Sequence, residues 1–128
     1  MNGLHLIADL YGCRCDPSLL ESKNRLQRVC VQACRDAGLG ALGAFFYQFY
    51  HSNGAEAGVT GAVVLAESHL AIHTWPERGD VTLDVYVCNY TRDNSDRARA
   101  LFERLIQVLQ PEQAVTQAVV RGQVVEAA

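Results

Sequence analysis

Three apolar segments, 59–66, 70–75 and 81–88, follow one another with only a few residues between them, and this spacing does most to constrain the fold. Links this short cannot hold the crossover of a dozen or more residues that parallel strands need, so the neighbours must run antiparallel. Alternation inside each segment then sorts its residues onto two faces. In 70–75, Leu70, Ile72 and Thr74 share one face, while Ala71, His73 and Trp75 share the other with His69. In 81–88, Val81, Leu83, Val85 and Val87 read as the core side, which leaves Thr82, Asp84, Tyr86 and Cys88 facing away.

The flanking sequence supplies the second layer. Residues 4–11 read as a strand with Leu4, Leu6, Ala8 and Leu10 on one face. Asp16-Pro17 looks like an N-cap with proline at the first helical position. Leu19, Leu26, Cys30, Ala33 and Ala37 repeat at helical spacing up to the stop at Gly38, which predicts one amphipathic helix of about five turns. An aromatic strand over 44–50 and a polar loop over 51–57, containing Ser52-Asn53-Gly54, lead into the central strands. Asn94 or Ser95 caps a second helix whose stripe is Ala98, Leu101, Phe102, Leu105 and Leu109, and Pro111 ends it. A last strand spans 114–120, and the remainder is tail. The order β-α-β-β-β-β-α-β predicts an α+β two-layer domain, an antiparallel sheet with two helices on one face.

At 128 residues the chain fits a single domain, 1–128, and its 49% apolar and 20% charged fractions are those of an ordinary globular protein. A formal charge of -3 without a Lys/Arg cluster argues against a nucleic-acid surface. No apolar run reaches the roughly 20 residues of a membrane span. The N-terminus lacks the basic and apolar regions of a signal peptide, so a cytoplasmic location is expected, with the five cysteines as free thiols. Cys13 with Cys15, and Cys30 with Cys34, lack structural-zinc spacing, and no metal is expected. Cys30 and Cys34 read as small core residues.

What the fold does not require is the set of polar groups in the centre: Glu67-Ser68-His69, His73-Thr74-Trp75-Pro76-Glu77 and Cys88. Burying such groups costs free energy unless each is paired, so they mark a site. Ser68 beside His69 suggests a hydrolase, but neighbours on a strand point to opposite faces, and no G-x-S-x-G elbow is present. A thiol hydrolase built from Cys88, His73 and Asp84 is an alternative that only geometry decides.

The run from Gly58 through Glu67-Ser68-His69-Leu70-Ala71-Ile72-His73-Thr74-Trp75-Pro76-Glu77 resembles the central signature of the prokaryotic S-adenosylmethionine decarboxylases. The likeness extends to Leu83-Asp84-Val85-Tyr86-Val87-Cys88 and to His5-Leu6-Ile7-Ala8-Asp9-Leu10-Tyr11-Gly12-Cys13. It implies a self-processing proenzyme. Ser68 attacks the Glu67 carbonyl, the amide becomes an ester, and elimination leaves a β chain 1–67 and an α chain 68–128 whose first residue has become a pyruvoyl cofactor. By the same resemblance His73 takes the Ser68 Cα proton and the Thr60 hydroxyl assists, where serine is the usual residue. The pyruvoyl carbonyl forms a Schiff base with the substrate amine and draws electrons as carbon dioxide leaves. Cys88 returns a proton to the substrate carbon, a task suited to a thiol that keeps its proton at neutral pH.

For the substrate, the resemblance places Phe49 and Trp75 on the two faces of adenine, Glu77 on the ribose hydroxyls and Leu70 among the binding residues. It also implies a homodimer of processed protomers, with two sheets stacked as a four-layer αββα sandwich. The expected product is decarboxylated S-adenosylmethionine, the aminopropyl donor for spermidine synthesis. Two departures, the long 51–57 loop and Asp9 where relatives carry Glu, leave ornithine or arginine as an alternative substrate, with Glu77, Asp9 or Glu56 as the carboxylate for its distal charge. A second alternative is a non-catalytic member that keeps the fold and binds a ligand or partner subunit.

Overall fold

The computed structural model describes residues 2–122. Six strands, β1 (Gly3–Tyr11), β2 (Ala41–Tyr50), β3 (Glu56–Leu65), β4 (Ser68–Trp75), β5 (Asp80–Cys88) and β6 (Gln113–Arg121), form one sheet in the order β2-β3-β4-β5-β1-β6. Every neighbouring pair is antiparallel. The helices α1 (Pro17–Glu21), α2 (Lys23–Asp36) and α3 (Ser95–Leu109) pack on one face. The tail beyond residue 122 lies outside the described residues.

The core lies between the helices and the inner face of the sheet. Leu26, Cys30, Ala33 and Cys34 of α2, and Ala98, Leu101, Phe102, Leu105 and Leu109 of α3, meet Leu6, Leu10, Leu70, Ile72, Leu83 and Val85. The stripes read from the sequence are the buried faces. Burial alternates residue by residue along β4, and along β5 as far as Val87, as the period-two reading requires; Cys88, expected to face away from the core, is buried as well, at 7% exposure.

The single five-turn helix is corrected to two. Ser22 is extended (φ -101°, ψ 115°); it ends α1 with its N–H on the Ser18 carbonyl and starts α2 with its hydroxyl accepting from the Arg25 N–H. The buried Gln48 side chain of β2 takes over the backbone groups freed by the break: its Oε1 accepts from the Lys23 N–H at 2.9 Å and its Nε2 donates to the Glu21 carbonyl at 2.6 Å. A serine offers the backbone a competing partner, and here the tertiary contact decides between bent and straight. The sheet therefore carries three helices on its face. The helix α3 stops at Gln110, whose left-handed backbone (φ 51°, ψ 57°) sends its N–H to the Ile106 carbonyl before Pro111.

Gly61 shows how tightly β2 and β3 fit. The Phe46 ring lies over it, and a Cβ built there would fall 2.2 Å from the ring. Only glycine leaves Phe46 its place in the core.

Candidate active site

The turn between β3 and β4 is as short as a hairpin turn can be. Leu65 pairs with Ser68, so Ala66 and Glu67 alone reverse the direction. Glu67 takes φ 53°, a left-handed conformation that costs a side-chain-bearing residue about 1–2 kcal/mol. Ser68 follows directly, 9% exposed, and its Oγ accepts the Cys88 N–H at 3.1 Å. Exposed Glu67 and Tyr90, half-buried Tyr86 and the 7%-exposed Cys88 line a hollow of about 270 Å³. The Cys88 end of β5 is fixed by asparagines: Asn94 Nδ2 donates to the Cys88 carbonyl, and Asn89 Oδ1 accepts the Asn94 N–H. Ser68, Glu67 and Cys88 thus stand together.

Thr60, His73 and Trp75 form a second cluster, with Phe49 on β2 and Glu77 in the turn after Trp75 placed apart from it. Thr60 and His73 are register partners, and Thr60 Oγ1 lies 3.0 Å from His73 Nδ1. The His73 ring is tilted towards Trp75, with centroids 6.4 Å apart. Phe49 packs edge-on against Tyr47 at 5.0 Å. Phe49 on β2 and Trp75 on β4 are separated by the one strand β3, which sets their strands roughly 10 Å apart. Both rings are about half exposed, Phe49 at 49% and Trp75 at 43%. Glu77 is exposed in the turn that follows Trp75.

One chain does not join the clusters. Ser68 points inward and His73 outward, five residues on along the same strand, or roughly 16 Å. Ser68 and His69 do point to opposite faces, so His69 is no base for Ser68. The Cys88-His73-Asp84 hydrolase is not assembled, because His73 meets Thr60 while the Asp84 carboxylate meets His5 and His69. The Leu70 side chain belongs to the core, 0% exposed between its register partners Val63 and Val85, so only its backbone could meet a substrate.

The sequence reading missed His5. Period two sets His5, His69 and Asp84 on the outer face, but only the sheet order, with β1 beside β5, brings them together. Among the thiols, burial pushes Cys34 up to about 11 and Cys13 to about 11, and raises Cys30 further. Cys30 and Cys34 are inert core groups, as expected, while Cys13 is only half-buried against the core.

Residues 4–122 match the family model for S-adenosylmethionine decarboxylase. An S-adenosylmethionine decarboxylase proenzyme of Picrophilus torridus is 42% identical over 109 residues, covering 85% of this chain and 75% of that protein. The proenzyme of Thermoplasma volcanium is 38% identical over 123 residues, covering 96% and 86%. The crystal structure of the adenosylmethionine decarboxylase from Aquifex aeolicus VF5 superimposes with a TM-score of 0.82 at 34% identity, over 98% of this chain and 95% of that one. The match spans both clusters and every strand that carries them, and the chain belongs to the S-adenosylmethionine decarboxylase family.

Proposed function

We propose that this chain is a proenzyme that cuts itself between Glu67 and Ser68 and then decarboxylates S-adenosylmethionine. The observation that carries the reading is the turn itself: a left-handed Glu67 followed by a buried serine whose hydroxyl is held by the Cys88 amide. Ser68 Oγ adds to the Glu67 carbonyl carbon, the peptide nitrogen leaves as the amine of Ser68, and the acyl group rests on oxygen as an ester. Loss of the Ser68 Cα proton then expels the Glu67 carboxylate, and hydrolysis of the resulting enamine releases ammonia and leaves the pyruvoyl carbonyl. Cleavage also releases the strained backbone of Glu67. The pyruvoyl group supplies an electrophilic carbonyl that serves as an electron sink for decarboxylation.

The chain's other residues divide by task. His73, oriented by Thr60, is the base for the Cα proton, and Thr60 keeps the hydroxyl that the task needs. Cys88, beside Ser68, returns a proton to the substrate carbon. Phe49 and Trp75 take the two faces of the adenine, and Glu77 takes the ribose hydroxyls. The relatives named above are S-adenosylmethionine decarboxylase proenzymes, which favours this substrate over ornithine or arginine.

The sites are completed by a second copy. The separation of His73 from Ser68 in its own chain supports a partner whose Thr60–His73 end meets the Ser68 end. The outer sheet face, with Phe45 71%, Tyr47 53% and Val64 52% exposed, is a surface that a stacked second sheet would cover, giving the αββα sandwich. No described helix is long and apolar enough to cross a membrane, and a cytoplasmic location suits the free thiols.

Release of labelled carbon dioxide tests the activity. Carboxyl-labelled S-adenosylmethionine is expected to release it, with ornithine and arginine inert. No release from S-adenosylmethionine by processed protein would end the substrate assignment.

A further inference from the structure

We propose that His5, His69 and Asp84 form a binding site for one first-row divalent cation, zinc being the best fit, on the outer face of the sheet. The three donor atoms lie within 4.8 Å of one another. They come from three adjacent strands, β1, β4 and β5, so the sheet register and not a mobile loop holds them. His5 and His69 are both register partners of Tyr86, one from each side, and each ring centroid stands 5.7 Å from the Tyr86 ring. Both Nε2 atoms converge on a single carboxylate oxygen, Asp84 Oδ2, at 2.9 and 3.3 Å.

Those separations are close to what a small cation requires. Zinc bonds to imidazole nitrogen at about 2.0–2.1 Å, which places tetrahedral ligand atoms about 3.3 Å apart. Two imidazoles and a carboxylate are a borderline-soft set suited to zinc or cobalt, and three protein ligands leave one position for water. Occupation exchanges two N–H···O contacts for three metal bonds. With both rings neutral, each proton moves from Nε2 to Nδ1 through solvent, and no net proton is released.

Arg121 opposes the ion and so gives the proposal its own signature. Its Nη1 lies 3.3 Å from His5 Nδ1, and its guanidinium sits 4.6 Å over the Tyr86 ring. When the metal holds Nε2, Nδ1 carries the hydrogen and faces another donor, and the guanidinium charge repels the cation. Arg121 must swing out for the site to fill, so removing it should tighten binding. A hydrogen-bonded network with no metal function predicts no such tightening, because there Arg121 is simply a partner.

The test does not depend on the decarboxylase reading. Protein expressed with added cobalt and then dialysed should hold about one Co(II) per chain, with a visible spectrum of nitrogen and oxygen coordination and no thiolate charge-transfer band. Asp84→Asn and His69→Gln should each weaken binding by more than about 100-fold, since even indirect contacts to a metal ligand are worth that much. Arg121→Gln should tighten it several-fold. Thermal melts establish folding of each variant; the His69 side chain is 42% exposed, so His69→Gln still decides the matter if Asp84→Asn does not fold. Metal-free wild-type protein, a thiolate band, or unchanged affinity in His69→Gln would overturn the proposal.

Discussion

At the scale of single residues, the geometry around Ser68 separates cutting from turnover. The Cys88 amide holds the Ser68 hydroxyl at 3.1 Å, and that contact survives any change of the Cys88 side chain that spares the backbone. Cys88→Ala should therefore process as the wild type does, yet decarboxylate about 100-fold more slowly or worse, the usual cost of losing a general acid. Gel electrophoresis reads the first and labelled carbon dioxide the second; unchanged turnover would remove Cys88 from the chemistry. Cys34 gives a pH prediction of known sign. Burial raises its thiol from the ordinary 9.0 to about 11, so the unfolded chain loses the proton first. The stabilisation is complete below about pH 9 and is lost as the pH rises towards 11. The melting temperature should fall across that window, and less steeply in Cys34→Ala; equal slopes would contradict the assignment.

At the scale of elements, the sequence was legible wherever one period ruled a segment. Alternation in β4 and β5 sorted His69, His73 and Trp75 from Leu70, Ile72 and Thr74 correctly, because each strand buries one face only. The helical stripe read through residue 22 without interruption, since Leu19 and Leu26 keep their phase across the break. What bends the chain there is Gln48, a residue 26 positions away, and no local pattern reports it. Gln48→Leu should leave the Lys23 N–H and the Glu21 carbonyl without these partners and destabilise the fold by about 2 kcal/mol, measured from the urea midpoint. A change below about 0.5 kcal/mol, the range of ordinary surface substitutions, would show that the break has other support. The His5–Asp84–His69 cluster was hidden for a related reason: strand order, unlike strand phase, is set by packing.

At the scale of the whole molecule, the division of the site into two clusters makes a prediction that one chain alone cannot satisfy. A chain carrying Ser68→Ala retains His73, and a chain carrying His73→Ala retains Ser68. Neither should mature alone, but co-expressed chains should form hybrid dimers in which the His73→Ala chain is cut. Persistence of two uncut chains in a purified hybrid would mean that each site is built within one chain. The central claim, that Ser68 is the precursor of the catalytic group, is tested most directly by the intact mass of the purified protein. The account predicts two polypeptides, 1–67 and 68–128, the second without a free amino terminus, and a single uncut chain in Ser68→Ala. A folded wild-type protein that stays one chain of 14.1 kDa would contradict it.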